Sequence, residues 1–203
     1  MTVYLDHAAT SPLRPEVLSA YTAALGVVGN PSSIHGAGQA ARALLEDGRE
    51  HIAASLGADA VEVVLTGGGT EAVNLGIKGL FWARNPAGRV GGTAAVSRPR
   101  IIVPMAEHHA TIDSVDWLAA HEGAILDWIE VDALGRIRVD ALEAALATGG
   151  DQVALVTALW ANNEVGTLQP VAEIVAAASR FGVPVHLDAI AAYGSVPIDF
   201  SAS

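Results

Sequence analysis

The chain is expected to fold as α/β: a mostly parallel sheet flanked by helices on both faces. Three observations predict this. The runs RIIVP (Arg100–Pro104) and VALVTAL (Val153–Leu159) are β-branched and apolar throughout, as strands buried on both faces are. Each is followed by a segment of helical periodicity, and this alternation repeats along the chain. With 203 residues, 51% of them apolar, and no low-complexity stretch or repeat, the chain can bury one sizeable core.

The elements follow in order. A helix is predicted over residues 14–25, with Pro12 and Pro15 at its start. The loop GNPSSIHGAG (29–38) leads to a long amphipathic helix over 39–56, where Ala41, Leu44, Leu45, Ile52 and Leu56 recur at helical spacing. VEVVLT (61–66) is read as a strand, followed by a glycine run and a helix over 70–82. RIIVP precedes a helix over 110–121, and ILDWIEV (125–131) precedes the helix VDALEAALAT. VALVTAL precedes a loop and the helix VAEIVAAASRFG; the apolar stretch 181–185 reads as a buried strand that delivers Asp188, with strand VPVHL closing the series. Glycine and proline fall between these segments, so no linker marks an interior boundary.

Composition narrows the function. A formal net charge of −11 with only eleven lysines and arginines is unsuited to a phosphate backbone, which argues against nucleic acid as a partner. The absence of cysteine excludes disulfides, thiolate metal sites and a cysteine nucleophile within these residues. The N-terminus MTVYLDHAAT lacks a cationic, apolar secretory signal, and no apolar run reaches the ~18 residues of a membrane span, so no membrane association and a cytoplasmic protein are expected.

In parallel sheets ligands bind at the carboxyl ends of strands, so the chemistry is sought in the residues that follow them. TGGGT (66–70) places three glycines before a helix start, leaving bare N–H groups that suit an anion such as phosphate; a plain turn with Thr70 as N-cap is as good a reading of this stretch alone. It lacks both the P-loop and the dinucleotide glycine spacing. EHHATIDS (107–114) offers His108, a ring able to stack on a flat heterocycle and move protons, or to cap the helix. His109 and Asp113, at i and i+4, share a helix face but make a poor metal site on their own. In WANNEVG (160–166), Asn162 and Asn163 are turn formers or amide donors. Asp188 is either a cap or a counter-ion for a protonated ring nitrogen. A phosphate cradle, a stacking ring, an amide and a carboxylate at one sheet edge together describe a site for pyridoxal 5′-phosphate.

YLDHAAT with Pro12, GNPSSIHG, GGGTEAVNLGIKG, EHHATIDS, WANNEVGTLQP and VHLDA, in this order, resemble the cysteine desulfurases of the class V aminotransferase family, fold type I pyridoxal-phosphate enzymes. The resemblance spans nearly the whole chain. It implies that Gly69 and Thr70 bind the cofactor phosphate and that His108 stacks on the ring and assists proton transfer. It also implies that Asn163 approaches the phenolic oxygen and that Asp188 pairs with the ring nitrogen. It implies L-cysteine as substrate, L-alanine and an enzyme persulfide as products, a sulfur-acceptor protein in iron–sulfur cluster assembly or thiolation, and a homodimer. Residues 1–15 are expected to form an N-terminal segment packing with the small domain or the dimer partner, and 16–203 the N-terminal part of the cofactor-binding large domain.

Two departures accompany the resemblance. The family's S-x-H-K lysine and its persulfide-carrying cysteine are not among these residues, and the only lysine, Lys78, lies well inside a helix. The 203 residues by themselves are therefore expected to be inactive. Ala191 stands where the family has a glutamine. These departures keep open a selenocysteine lyase or another class V lyase or aminotransferase, and a non-catalytic relative that serves as a binding or dimerisation partner.

Overall fold

The computed structural model describes residues 3–86 and 96–200. They fall into two compact units, one built from residues up to Leu65 with a short return after Ile198, the other from Thr66–Pro197.

In the first unit, α1 (Pro15–Leu25) starts on a proline and buries none of its residues. α2 (Gly36–Leu56) is capped by His35, whose Nδ1 accepts the Gly38 N–H at 3.3 Å, and it closes on Gly57 in the left-handed conformation. The expected strand over 61–66 does not form. Ala60–Glu62 is a single 3-10 turn held by a reciprocal capping box, in which the Glu62 carboxylate accepts the Asp59 N–H at 2.8 Å. Val61, Val64 and Leu65 are exposed, and no described strand pairs with them. An alternating apolar pattern becomes a strand only where a neighbour supplies the ladder, and here a local cap closes the backbone first.

The second unit is a four-stranded, wholly parallel sheet. Its strands are β1 (Arg100–Pro104), β2 (Ile125–Ile129), β3 (Val153–Leu159) and β4 (Val185–Asp188), in the spatial order β2-β1-β3-β4. The connecting helices are α3 (Gly69–Arg84), α4 (His109–Glu122), α5 (Val139–Ala147) and α6 (Val171–Ser179). β1 and β3 have the predicted bounds. The last strand does not: 181–182 form a turn in which Phe181 is exposed, α6 ends three residues earlier than expected, and Asp188 is the final strand residue. Gly182, with φ +61°, makes the turn that separates helix from strand.

Strand side chains alternate between two cores. Ile102, Val156, Ala158, Val185 and Leu187 pack with Leu142, Leu146 and Ile174 of α5 and α6. Ile101, Val103 and Leu155 pack on the other face with Val73, Ile77 and Phe81 of α3 and Val115 and Leu118 of α4. That parity puts His186 and Asp188 on the α3 face. There a Cβ at Gly76 would lie 2.8 Å from His186 Cδ2, so the absent side chain is what lets α3 seat against β4.

The order β2-β1-β3-β4 reverses direction between β1 and β3: the chain leaves β1 for β2 on one side and returns to β3 on the other. The carboxyl ends of these two strands bound the crevice where sheets of this kind hold ligands.

Candidate active site

Four segments meet at that edge. α3 begins with Gly68 as N-cap, so Thr70 lies inside the first turn and is not the cap. The first helical bond runs from the Ala72 N–H to the Gly68 carbonyl, which leaves the Gly69, Thr70 and Glu71 N–H groups without an acceptor among the described residues. The Gly67 N–H is taken by Glu71 Oε2 at 2.7 Å. A Cβ at Gly69 would lie 2.9 Å from Ile190 Cγ1, so this turn and the segment after β4 are in direct apposition.

Asp188 reaches the same place from β4. It is only 6% exposed, and its Oδ1 accepts the Ile190 N–H at 3.0 Å. Its main-chain oxygen accepts the Trp160 N–H at 2.8 Å, joining the ends of β3 and β4. No described cation pairs with the Asp188 carboxylate, although a buried carboxylate needs a positive or hydrogen-bonding partner. His186, two residues back on the same strand face, accepts or donates at Nδ1 with Thr157 Oγ1 at 3.0 Å. Burial lowers its pKa from the ordinary value, against the opposing pull of Asp188, so it supplies no firm positive charge.

From β1 comes His108, the N-cap of α4: its Nδ1 accepts the Ala110 N–H at 3.1 Å. Capping and stacking are thus compatible. The cap fixes the ring and its tautomer while leaving the exposed ring's Nε2 edge unengaged. The paired asparagines divide their work: Asn162 holds the turn, accepting the Glu164 and Val165 N–H groups and donating to the Ala106 carbonyl at 3.3 Å. Asn163 is exposed in that turn, its amide unused by the described chain. Ala191 is half-buried and brings no amide.

Two residues of this edge escaped the sequence reading as site residues, Glu107 and His186. Glu107 Oε1 accepts the Leu159 N–H at 2.9 Å, clamping the loop after β1 to the last residue of β3. Its Oε2 is buried without a partner, as is Thr111 Oγ1. The available signals were an acid directly ahead of His108 after a buried strand, and the two-residue spacing of His186 and Asp188. Among the described residues no group of three or more histidines, cysteines or acids is arranged to hold a metal, and no helix is long and apolar enough to cross a membrane.

The glycine turn, a fixed ring and a buried acid lacking a cation fit a group that is anionic at one end and cationic at the other. The class-V aminotransferase family matches residues 3–203, and the chain belongs to that family. Within it, the chain is 48% identical over 200 residues to the IscS-like cysteine desulfurase of Mycobacterium tuberculosis, covering 98% of this chain and 49% of that protein. Among solved structures it resembles a NifS-like protein, with a TM-score of 0.88 and 28% identity over 98% of this chain and 52% of the other. It also resembles SspA in complex with cysteine, with a TM-score of 0.87 and 29% identity over 99% of this chain and 54% of the other. The chain spans about half the length of the relatives it matches.

Proposed function

We propose that this chain forms the cofactor-holding part of a pyridoxal-phosphate-dependent cysteine desulfurase that converts L-cysteine to L-alanine while passing the sulfur to an enzyme thiol as a persulfide. The observation that carries the reading is Asp188: a buried carboxylate with no cation among the described residues beside it, on a strand end apposed to a helix start whose N–H groups lack a described acceptor. Asp188 would thus hold a protonated ring nitrogen, and the helix-start N–H groups would hold a phosphate.

Pyridoxal phosphate, when bound, supplies an electron sink for the charge left at the substrate's α-carbon. The chain's own residues have these proposed tasks. The Gly69 and Thr70 amides bind the phosphate. The Asp188 carboxylate holds a proton on the ring nitrogen, and Ile190 N–H holds that carboxylate in place. His108, oriented by the Ala110 N–H, stacks on the ring and moves a proton at Nε2. The Asn163 amide approaches the phenolic oxygen. A homodimer, residues 1–15 packing with the small domain or partner subunit, a sulfur-acceptor protein in iron–sulfur assembly or thiolation, and a cytoplasmic location belong to the same proposal. The cysteine seen with SspA supports the substrate assignment.

The test is Asp188→Asn in the full protein. The amide keeps an acceptor for the Ile190 N–H but removes the charge. Uptake of pyridoxal phosphate, followed by visible absorbance, is expected to weaken by at least about tenfold, and formation of alanine from L-cysteine, with sulfide released from the persulfide by an added thiol reductant, by more, while the unliganded fold keeps or gains urea resistance. An unchanged affinity, or a native protein that neither binds the cofactor nor releases sulfide, overturns the assignment.

A further inference from the structure

We propose that Glu107 is a positioning residue of this site, which clamps the His108 turn to the end of β3 through Oε1 while Oε2 carries a proton, so that Asp188 remains the only buried negative charge among the described residues at the ends of β1, β3 and β4.

The geometry begins with the chain. Glu107 directly precedes His108, and its Oε1 accepts the N–H of Leu159, a residue 52 positions away on the neighbouring strand. Leu159 is followed by Trp160, whose N–H bonds the Asp188 carbonyl. The carboxyl group therefore ties the loop after β1 to the end of β3, and the Trp160 backbone carries the tie on to β4 where the strands bound the crevice. A loop held only at its own helix cap is free to swing; one tied across the sheet presents its ring at a fixed place.

The protonation follows from what surrounds Oε2. The groups facing Glu107 are the Leu159 N–H from β3, the Thr111 hydroxyl from α4 and the Asp188 carboxylate from β4; no described cation acts on it. Ionised, it would set a second buried anion near Asp188 with one oxygen unpaired. Neutral, it keeps a carbonyl-type acceptor for Leu159 and turns Oε2 into a donor on the side of Thr111, whose Oγ1 also lacks a partner. Burial first, and the Asp188 charge behind it, push the carboxyl up to about 7, against the pull of the Leu159 N–H and a smaller one from Thr111, which lies near but outside hydrogen-bond geometry. The proton exchanges with solvent.

The clamp and its proton stand on this chain alone; only their effect on cofactor binding rests on the function proposed above. The experiment therefore has two arms on the full protein. In the unliganded protein, infrared absorption of a protonated carboxyl group is followed from about pH 6, where ordinary carboxyls are ionised, to about pH 8.5. A band is expected that fades with a midpoint near pH 7 and is missing from Glu107→Gln. In the second arm pyridoxal phosphate is titrated into native protein, Glu107→Gln and Glu107→Ala at about pH 6. The glutamine, which still accepts from Leu159, is expected to bind within about twofold of native, and the alanine about tenfold more weakly, the scale of one lost hydrogen bond.

A band that survives in Glu107→Gln, or a glutamine as damaging as the alanine, overturns the proposal. If Glu107→Ala fails to fold, the glutamine variant and the infrared band decide it. A native protein that shows the band but takes up no cofactor sinks the cofactor reading and leaves the protonated clamp standing.

Discussion

Glu107 and His186 show how neighbouring strand ends set the protonation of two side chains. Each is placed by the sheet's two-residue parity or by the loop directly after a strand, and each then meets neighbours from distant sequence. The signs of their pH effects differ. Glu107 has a folded pKa above its ordinary value, so its contribution to stability is complete below about pH 4.5 and is lost as pH rises through about 7. The full swing is about 3 kcal/mol. His186 has a folded pKa below its ordinary 6.5, so it destabilises the fold as pH falls below that value. Urea midpoints measured from about pH 5 to 8.5 are expected to lose their alkaline decline in Glu107→Gln and part of their acid decline in His186→Gln. Profiles parallel to native in both variants would refute these assignments.

At the scale of elements, packing explains what pattern alone did not. The helix starting after the glycine run was legible, and so were β1 and β3, because buried parallel strands need continuous apolar runs whatever their partners. The strand expected over 61–66 carries an equally apolar pattern yet forms a capped turn and an unpaired segment, since pairing is decided by neighbours. α3 is a case where contact overrides propensity. Gly76 is unfavourable inside a helix by up to ~1 kcal/mol relative to alanine. Even so, Gly76→Ala is expected to destabilise by about 1–3 kcal/mol, because the new methyl meets the His186 ring. In a His186→Ser background the same change should become neutral or stabilising, a non-additivity read directly by a double-mutant cycle in urea. Equal costs in both backgrounds would mean that the helix, and not its seat on β4, sets the requirement.

For the whole molecule, the sheet order matters more than any single strand. Reversal of direction between β1 and β3 brings the loop bearing Glu107 and His108 beside the turn bearing Asn163, and β4 adds Asp188 next in line. Helices cover both faces, so two cores stabilise the sheet and are separated by it. Ile77→Val in the core under α3 and Ile174→Val in the core under α6 are each expected to cost about 0.5–1.5 kcal/mol. Their effects should add within about 0.5 kcal/mol, measured by urea unfolding of the two single variants and the double. Strong coupling would show that the two cores communicate through the strands.

By itself the sequence determined the α/β class, the position of most helices and all four strands of the sheet, two of them with their bounds. It also marked the glycine turn at a helix start, His108 and Asn163 in loops after strands, and Asp188 at the end of the last strand, because periodicity, glycine and polar punctuation are local properties of the chain. Only the tertiary structure decided which strands pair, that Asp188 is buried without a cation among the described residues, and that Glu107 reaches Leu159 with one oxygen left without a described partner. The reason is physical: burial and electrostatic environment are set by groups tens of residues apart, and they exist only once the sheet has brought those groups together.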